Sequence, residues 1–145
     1  MRSLALVLFF LAGACSSARS TPERLNLPGR SDTLPFSHGV RAGDLYFVAG
    51  TLGTDPATGK PPADPEQEAR AMLDDFRAKL ALAGLAMGDL VQVTVFCSDL
   101  ALYDTFNRVY ASYFPPGEFP ARAFIGSGPL LRGCRFEIQG IAALD

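Results

Sequence analysis

The 145-residue chain has room for one domain, and its 48% hydrophobic content can supply a core without disulfide scaffolding. Its formal charge is −2, from 13 basic and 15 acidic residues scattered along the sequence, which argues against the concentrated positive face that nucleic acid or an anionic membrane surface requires. A single histidine and no Cys-x-x-Cys pair give a metal site no support, and there is no glycine-rich phosphate loop.

Arg2 is followed by an uncharged stretch from Leu4 to Ala14 and then by Cys15. This run is shorter than the roughly 20 residues that span a bilayer, and it ends in small residues, so residues 1–14 are predicted to be a signal peptide. Leu11-Ala12-Gly13-Ala14-Cys15 is similar to a bacterial lipoprotein box, which predicts lipidation and membrane anchoring at Cys15. Leu11 stands one residue further back than such boxes usually place it, and Ala12-Gly13-Ala14 also suits ordinary cleavage. Either route exports the protein to the periplasm or cell envelope. Removal of residues 1–14 would take away Arg2 and leave 12 basic against 15 acidic residues, a formal charge of −3.

Residues 15–33, rich in Ser, Arg, Pro and Thr, are predicted to be a tether, with the folded domain spanning 34–145. Leu34 to Val40 and Asp44 to Ala49 form two apolar segments joined through Arg41-Ala42-Gly43, the pattern of a hairpin. Gly50 to Pro62 has the composition of a surface loop. Asp64-Pro65-Glu66-Gln67 opens a helix by a cap, a proline at the first helical position and a capping-box spacing. Its apolar stripe is Ala69, Met72, Leu73, Phe76, Leu80 and Ala83, with Arg70, Asp74, Asp75, Arg77 and Lys79 facing water and Gly84 ending it.

Leu90 to Cys97 is β-branched and aromatic over most of its length, as a buried strand is. Asp99 caps a second helix whose apolar face carries Leu102, Phe106, Val109, Tyr110 and Tyr113, and Phe114-Pro115-Pro116-Gly117 stops it. Strands near Ala121 to Ile125 and Arg135 to Ala142 complete an α+β domain of order ββαβαββ. Each helix has one apolar stripe, so both pack on one face of the sheet, and the other face is left for association between subunits. An oxidising compartment would permit Cys97 and Cys134 to pair, but their settings favour two unpaired, partly buried thiols.

Arg122, after Phe119-Pro120-Ala121, stands at a strand entry, where a planar guanidinium suits a substrate carboxylate; spacing alone favours a surface or structural role, as most arginines have. Glu137 shares a strand face with Gln139, and burial of that face by a neighbouring subunit would raise its pKa toward values useful in proton transfer. If the face stays solvated, Glu137 is an ordinary surface carboxylate. His38 is a candidate acid-base group or a hydrogen-bonded edge residue, and Asn107 a candidate ligand or loop contact within the second helix.

From Leu34 onward the chain resembles the Rid/YjgF reactive intermediate deaminase family. The matching blocks are Leu45 to Gly50 before Gly53-Thr-Asp-Pro-Ala-Thr-Gly59, Ala83 to Val91, Val93-Thr-Val-Phe96 with Asp99-Leu100, Phe106 to Tyr110, Phe119 to Arg122 and Phe136 to Ile138. The most specific feature is Pro-Ala-Arg followed fifteen residues later by the strand glutamate. The resemblance implies a chorismate-mutase-like homotrimer with clefts between subunits and no cofactor. It also implies hydrolysis of enamines and imines such as 2-aminoacrylate to 2-oxo acids and ammonia. On that basis Arg122 binds the carboxylate and Glu137 activates water, while Phe36, Gly50, Asn107 and Phe124 line the substrate site. Phe36 stands where such deaminases usually carry a tyrosine, and it lacks the hydroxyl. That loss, together with export, keeps a second expectation open: a non-catalytic binding protein for small carboxylates, or a partner in an envelope assembly.

Overall fold

The computed structural model describes residues 21–31 and 33–144; the predicted signal peptide and Cys15 lie outside the described residues. The elements in chain order are β1 (Glu23–Leu25), β2 (Gly39–Ala42), β3 (Leu45–Leu52), α1 (Pro65–Ala81), β4 (Leu90–Cys97), α2 (Tyr103–Ala111), β5 (Ala121–Gly126) and β6 (Phe136–Ala143). The six strands form one sheet in the order β1-β2-β3-β6-β4-β5. Every neighbouring pair is antiparallel except β4 and β5, which run parallel because α2 carries the chain back between them.

Period-two burial fixes the faces of the sheet. Phe136, Ile138, Gly140 and Ala142 of β6 and Val93, Val95 and Cys97 of β4 are buried beneath the helices, while the residues between them point the other way. The helices supply Met72, Leu73, Phe76, Leu80, Phe106 and Val109, all buried. Each such side chain contributes ~1.5–3 kcal/mol relative to an exposed position. The opposite sheet face has no covering layer among the described residues. Phe47 and Ile125 are each 42% exposed, and Phe47, Gln92, Thr94, Gln139 and Ile141 border a shallow depression there.

Several sequence expectations are corrected in detail. Glu23–Leu25, within the predicted tether, pairs with β2 as the sheet's edge strand, and Glu23 meets Arg41 at 3.4 Å. The hairpin lies later than expected: Arg41 and Ala42 belong to β2, Leu34 to Ser37 are irregular, and Gly43 turns the chain at φ +59°. Asp64 caps α1 by accepting from the Glu66 amide. Asp99 caps a short 3₁₀ turn at Leu100–Leu102, and α2 proper starts at Tyr103.

Lys79 was expected to face water but is 5% exposed. Its ammonium donates to Thr51 Oγ1 at 2.9 Å and meets Asp75 at 3.0 Å, and so satisfies its charge beneath β3. Cys97 and Cys134 are both buried free thiols, and burial raises the pKa of each.

Glu68 is fully buried, although the helical pattern gave no sign of it. Its carboxylate accepts from the Arg135 amide at 2.6 Å, from Arg135 Nε at 2.5 Å and from the Phe136 amide at 3.2 Å. The Arg135 guanidinium also donates to the Ala63 and Pro62 carbonyls. One ion pair thereby locks the start of α1 to the start of β6 and satisfies backbone groups at both.

Candidate active site

Arg122 lies on β5, an edge strand paired only with β4 among the described residues. Its register partner is the buried Val93, and that of Phe124 is Val95, so both side chains emerge on the helix-covered face. There Arg122 Nη2 donates to Asn107 Oδ1 at 2.7 Å. The guanidinium carbon lies 4.7 Å from the ring centroid of Tyr110, 5.6 Å from that of Phe124 and 6.0 Å from that of Tyr103. Helix α2 supplies three of these partners because Tyr103, Asn107 and Tyr110 recur at intervals of four and three and so share one face. Phe124 packs in turn on Phe106 at 5.3 Å and on Tyr103 at 5.0 Å. Arg122 opens onto a cavity of about 330 Å³ lined by Asn107, Tyr110, Ala111, Phe119 and Pro120.

Glu137 projects from the other face. It lies between the buried Phe136 and Ile138 and pairs with Phe96, so it shares the uncovered side with Gln139. Its register with β3 is disturbed between Val48 and Thr51, and this irregularity brings Gly50 against the carboxylate. A Cβ at Gly50 would stand 2.3 Å from Glu137 Oε1, so the carboxylate occupies the space a side chain at Gly50 would fill and would have to swing aside for one. The expected site residues thus separate into two groups within one protomer: Arg122 with Asn107 and Phe124, and Glu137 with Gly50.

Phe36 is 48% exposed and meets His38 edge-on at 6.2 Å. His38 serves the backbone: its Nδ1 accepts from the Leu27 amide at 3.0 Å, and its own amide donates to Asn26 Oδ1 at 3.0 Å. These bonds hold the segment after β1 against the start of β2. The Nδ1 bond requires a neutral ring, and desolvation by burial, reinforced by Lys79 and Arg30 against Asp75, lowers the His38 pKa from 6.5. Below pH 6.5 the unfolded chain takes up a proton that the folded one resists. This contribution to stability is therefore complete above that value and is lost as pH falls through the lowered folded pKa. His38→Asn keeps a nearby acceptor and removes the titration. Its melting temperature should fall less than that of the parent between about pH 7 and pH 5; equal slopes would assign the acid sensitivity to another group.

Sequence reasoning placed Tyr110 only on the apolar face of α2 and did not single out Tyr103. Their helical spacing from Asn107 was the available signal. Burial pushes the Tyr110 phenol up to about 12, with Arg122 opposing the rise, so the hydroxyl stays protonated at working pH.

The family model described as Endoribonuclease L-PSP matches residues 30–144. The chain is 36% identical over 110 residues to the 2-iminobutanoate/2-iminopropanoate deaminase of Escherichia coli (strain K12), covering 74% of this chain and 86% of that protein. It is 34% identical over 109 residues to the RutC family protein PH0854 of Pyrococcus horikoshii, with 74% and 86% covered. The crystal structure of E. coli TdcF with bound serine superposes with a TM-score of 0.76 at 31% identity, over 85% of this chain and 99% of that one. Fold, matched residues and relatives agree, and the chain belongs to the Endoribonuclease L-PSP family, which contains the Rid/YjgF deaminases.

Proposed function

We propose that the protein hydrolyses 2-imino acids and their enamine tautomers, such as 2-aminoacrylate, to 2-oxo acids and ammonia in clefts between the copies of a homotrimer, without a cofactor. The observation that carries this reading is the presentation of Arg122. Asn107 holds one of its N–H groups, aromatic rings surround its guanidinium, and a cavity opens beside it. A guanidinium held this way offers its remaining donors to a carboxylate in a fixed plane. Similarity to a protein named as an imine deaminase supports the reaction class.

In the reaction the carboxylate of the imino acid pairs with Arg122, and Glu137 of a neighbouring copy takes a proton from water as the oxygen adds to C2 of the C=N bond. The nitrogen takes the proton held by Glu137 to complete the carbinolamine, then receives the proton of the carbinolamine hydroxyl and leaves as ammonia while the C=O bond forms, so Glu137 is regenerated as the carboxylate. One water is consumed and no electrons are transferred. Gly50 gives Glu137 room at the reacting face, and the uncovered sheet face with its exposed Phe47 and Ile125 suits the surface that copies would bury together. Phe36 contributes a ring and no hydrogen bond.

The purified protein, mixed with an amino-acid oxidase or with a dehydratase releasing 2-aminoacrylate, should speed the appearance of 2-oxo acid and ammonia in proportion to its concentration. Decay rates that stay unchanged across several parent amino acids would remove the deaminase reading and leave carboxylate binding as the function of the fold.

A further inference from the structure

We propose that Tyr110 is a positioning residue for Arg122, its buried ring fixing the plane in which the guanidinium meets a substrate carboxylate. The inference rests on the reading of Arg122 as the carboxylate anchor and goes beyond it by naming what keeps that anchor in place.

An arginine on an edge strand has long rotamer freedom, and a single bond to Asn107 fixes one nitrogen without fixing the plane about it. A second constraint is needed. The guanidinium carbon is closer to Tyr110 than to either of the other rings, at 4.7 Å from the centroid, well within cation–π range. Tyr110 is itself closely packed. It is 3% exposed, stacks on Phe106 at 5.6 Å and 27°, and packs on Phe114 at 4.8 Å and Phe119 at 6.5 Å. Rigidity therefore passes from the core through Phe106 and Tyr110 to Arg122. Asn107 and Tyr110 lie one turn apart on α2, so the same turn fixes both the edge and the plane of the guanidinium.

The hydroxyl of Tyr110 is not what holds Arg122. It is buried with no hydrogen-bond partner among the described residues, a costly arrangement that a phenylalanine would relieve. Ring and hydroxyl therefore have separable effects. Tyr110→Phe keeps the ring and removes the unmet hydroxyl, so it should bind as the parent does and melt at the same temperature or higher. Tyr110→Leu keeps an apolar filling and removes the π face. It should weaken binding by about tenfold, seen as a raised KM for the imino acid with kcat nearly unchanged.

Pyruvate, the smallest 2-oxo acid, serves as the binding probe, with pyruvamide as its uncharged control, measured by calorimetry on the parent, Tyr110→Phe, Tyr110→Leu and Arg122→Ala. The expected order is parent equal to Tyr110→Phe, then Tyr110→Leu weaker, then Arg122→Ala without binding. Parent-like binding by Tyr110→Leu overturns the inference, as does a Tyr110→Phe variant as weak as Tyr110→Leu. Parent-like binding by Arg122→Ala instead overturns the anchor reading on which it rests. If Tyr110→Leu does not fold, the NMR signal of the Arg122 Nε–H in the parent decides. A guanidinium over the ring face is shifted upfield from the other arginines by the ring current, and an unshifted signal overturns the inference.

Discussion

Glu68→Ala should lower the melting temperature by about 10–15 °C, the largest loss of stability expected from any single truncation in this fold. Removing one partner of a buried pair leaves the other uncompensated, which costs ~3–5 kcal/mol, and in a domain of this size each kcal/mol lowers the melting point by a few degrees. Here the loss goes further than one ion pair. The Arg135 and Phe136 amides lose their acceptor, and the guanidinium that braces the Pro62 and Ala63 carbonyls loses its counter-charge. Glu66, two residues away, makes an exposed pair with Arg108 at 2.8 Å. Glu66→Ala should shift the melting temperature by no more than about 2 °C, because exposed pairs contribute ~0–1 kcal/mol. Thermal denaturation of the two variants side by side checks both, and equal shifts would mean that the Glu68 carboxylate is not structural.

The elements were legible in the sequence wherever local chemistry decides them. Asp64 and Pro65 announce α1, the spacing of Met72, Leu73, Phe76 and Leu80 sets its buried face, and the largely β-branched and aromatic run from Leu90 to Cys97 marks β4. What stayed hidden depends on partners distant in sequence. Glu68 and Lys79 are polar residues on a helix, and nothing nearby distinguishes them from Asp74 or Arg77. They are buried because Arg135, 67 residues away, and Thr51, 28 residues away, meet them. Glu23–Leu25 has too little apolar character to read as a strand, and it becomes one by pairing on the open edge of β2.

The candidate site shows the same division. Pro120-Ala121-Arg122 and Glu137 were singled out by the family resemblance, since spacing alone favoured a surface or structural arginine, and alternation along β6 placed Glu137 with Gln139. Alternation within a strand does not say which of its two sets faces the helices. The parallel pairing of β5 with β4 settles that for Arg122, which turns toward Asn107 and Tyr110 while Glu137 turns away. The two groups named together from sequence are therefore on opposite faces of one sheet.

This separation yields the second large effect. Arg122→Ala should reduce kcat/KM for imino acids on the order of 10³-fold, through loss of charge-assisted hydrogen bonds to the carboxylate. Glu137→Gln should cost ~10²–10⁴-fold by removing the base that accepts the water proton while nearly preserving shape. Both losses together are compatible with a site within one chain or between chains. Mixing the two variants separates these, because on the proposed reading each cleft of a closed ring would take Arg122 from one chain and Glu137 from the next.

The decisive measurement is the deaminase activity of an equimolar mixture of Arg122→Ala and Glu137→Gln chains, co-refolded so that subunits exchange and with mixed oligomers verified by native mass spectrometry. Random assembly gives about a quarter of the clefts both intact residues, so activity should recover to about a quarter of the parent's. Activity that remains at the level of the two separate variants, in a sample shown to contain mixed oligomers, would contradict a site shared between copies.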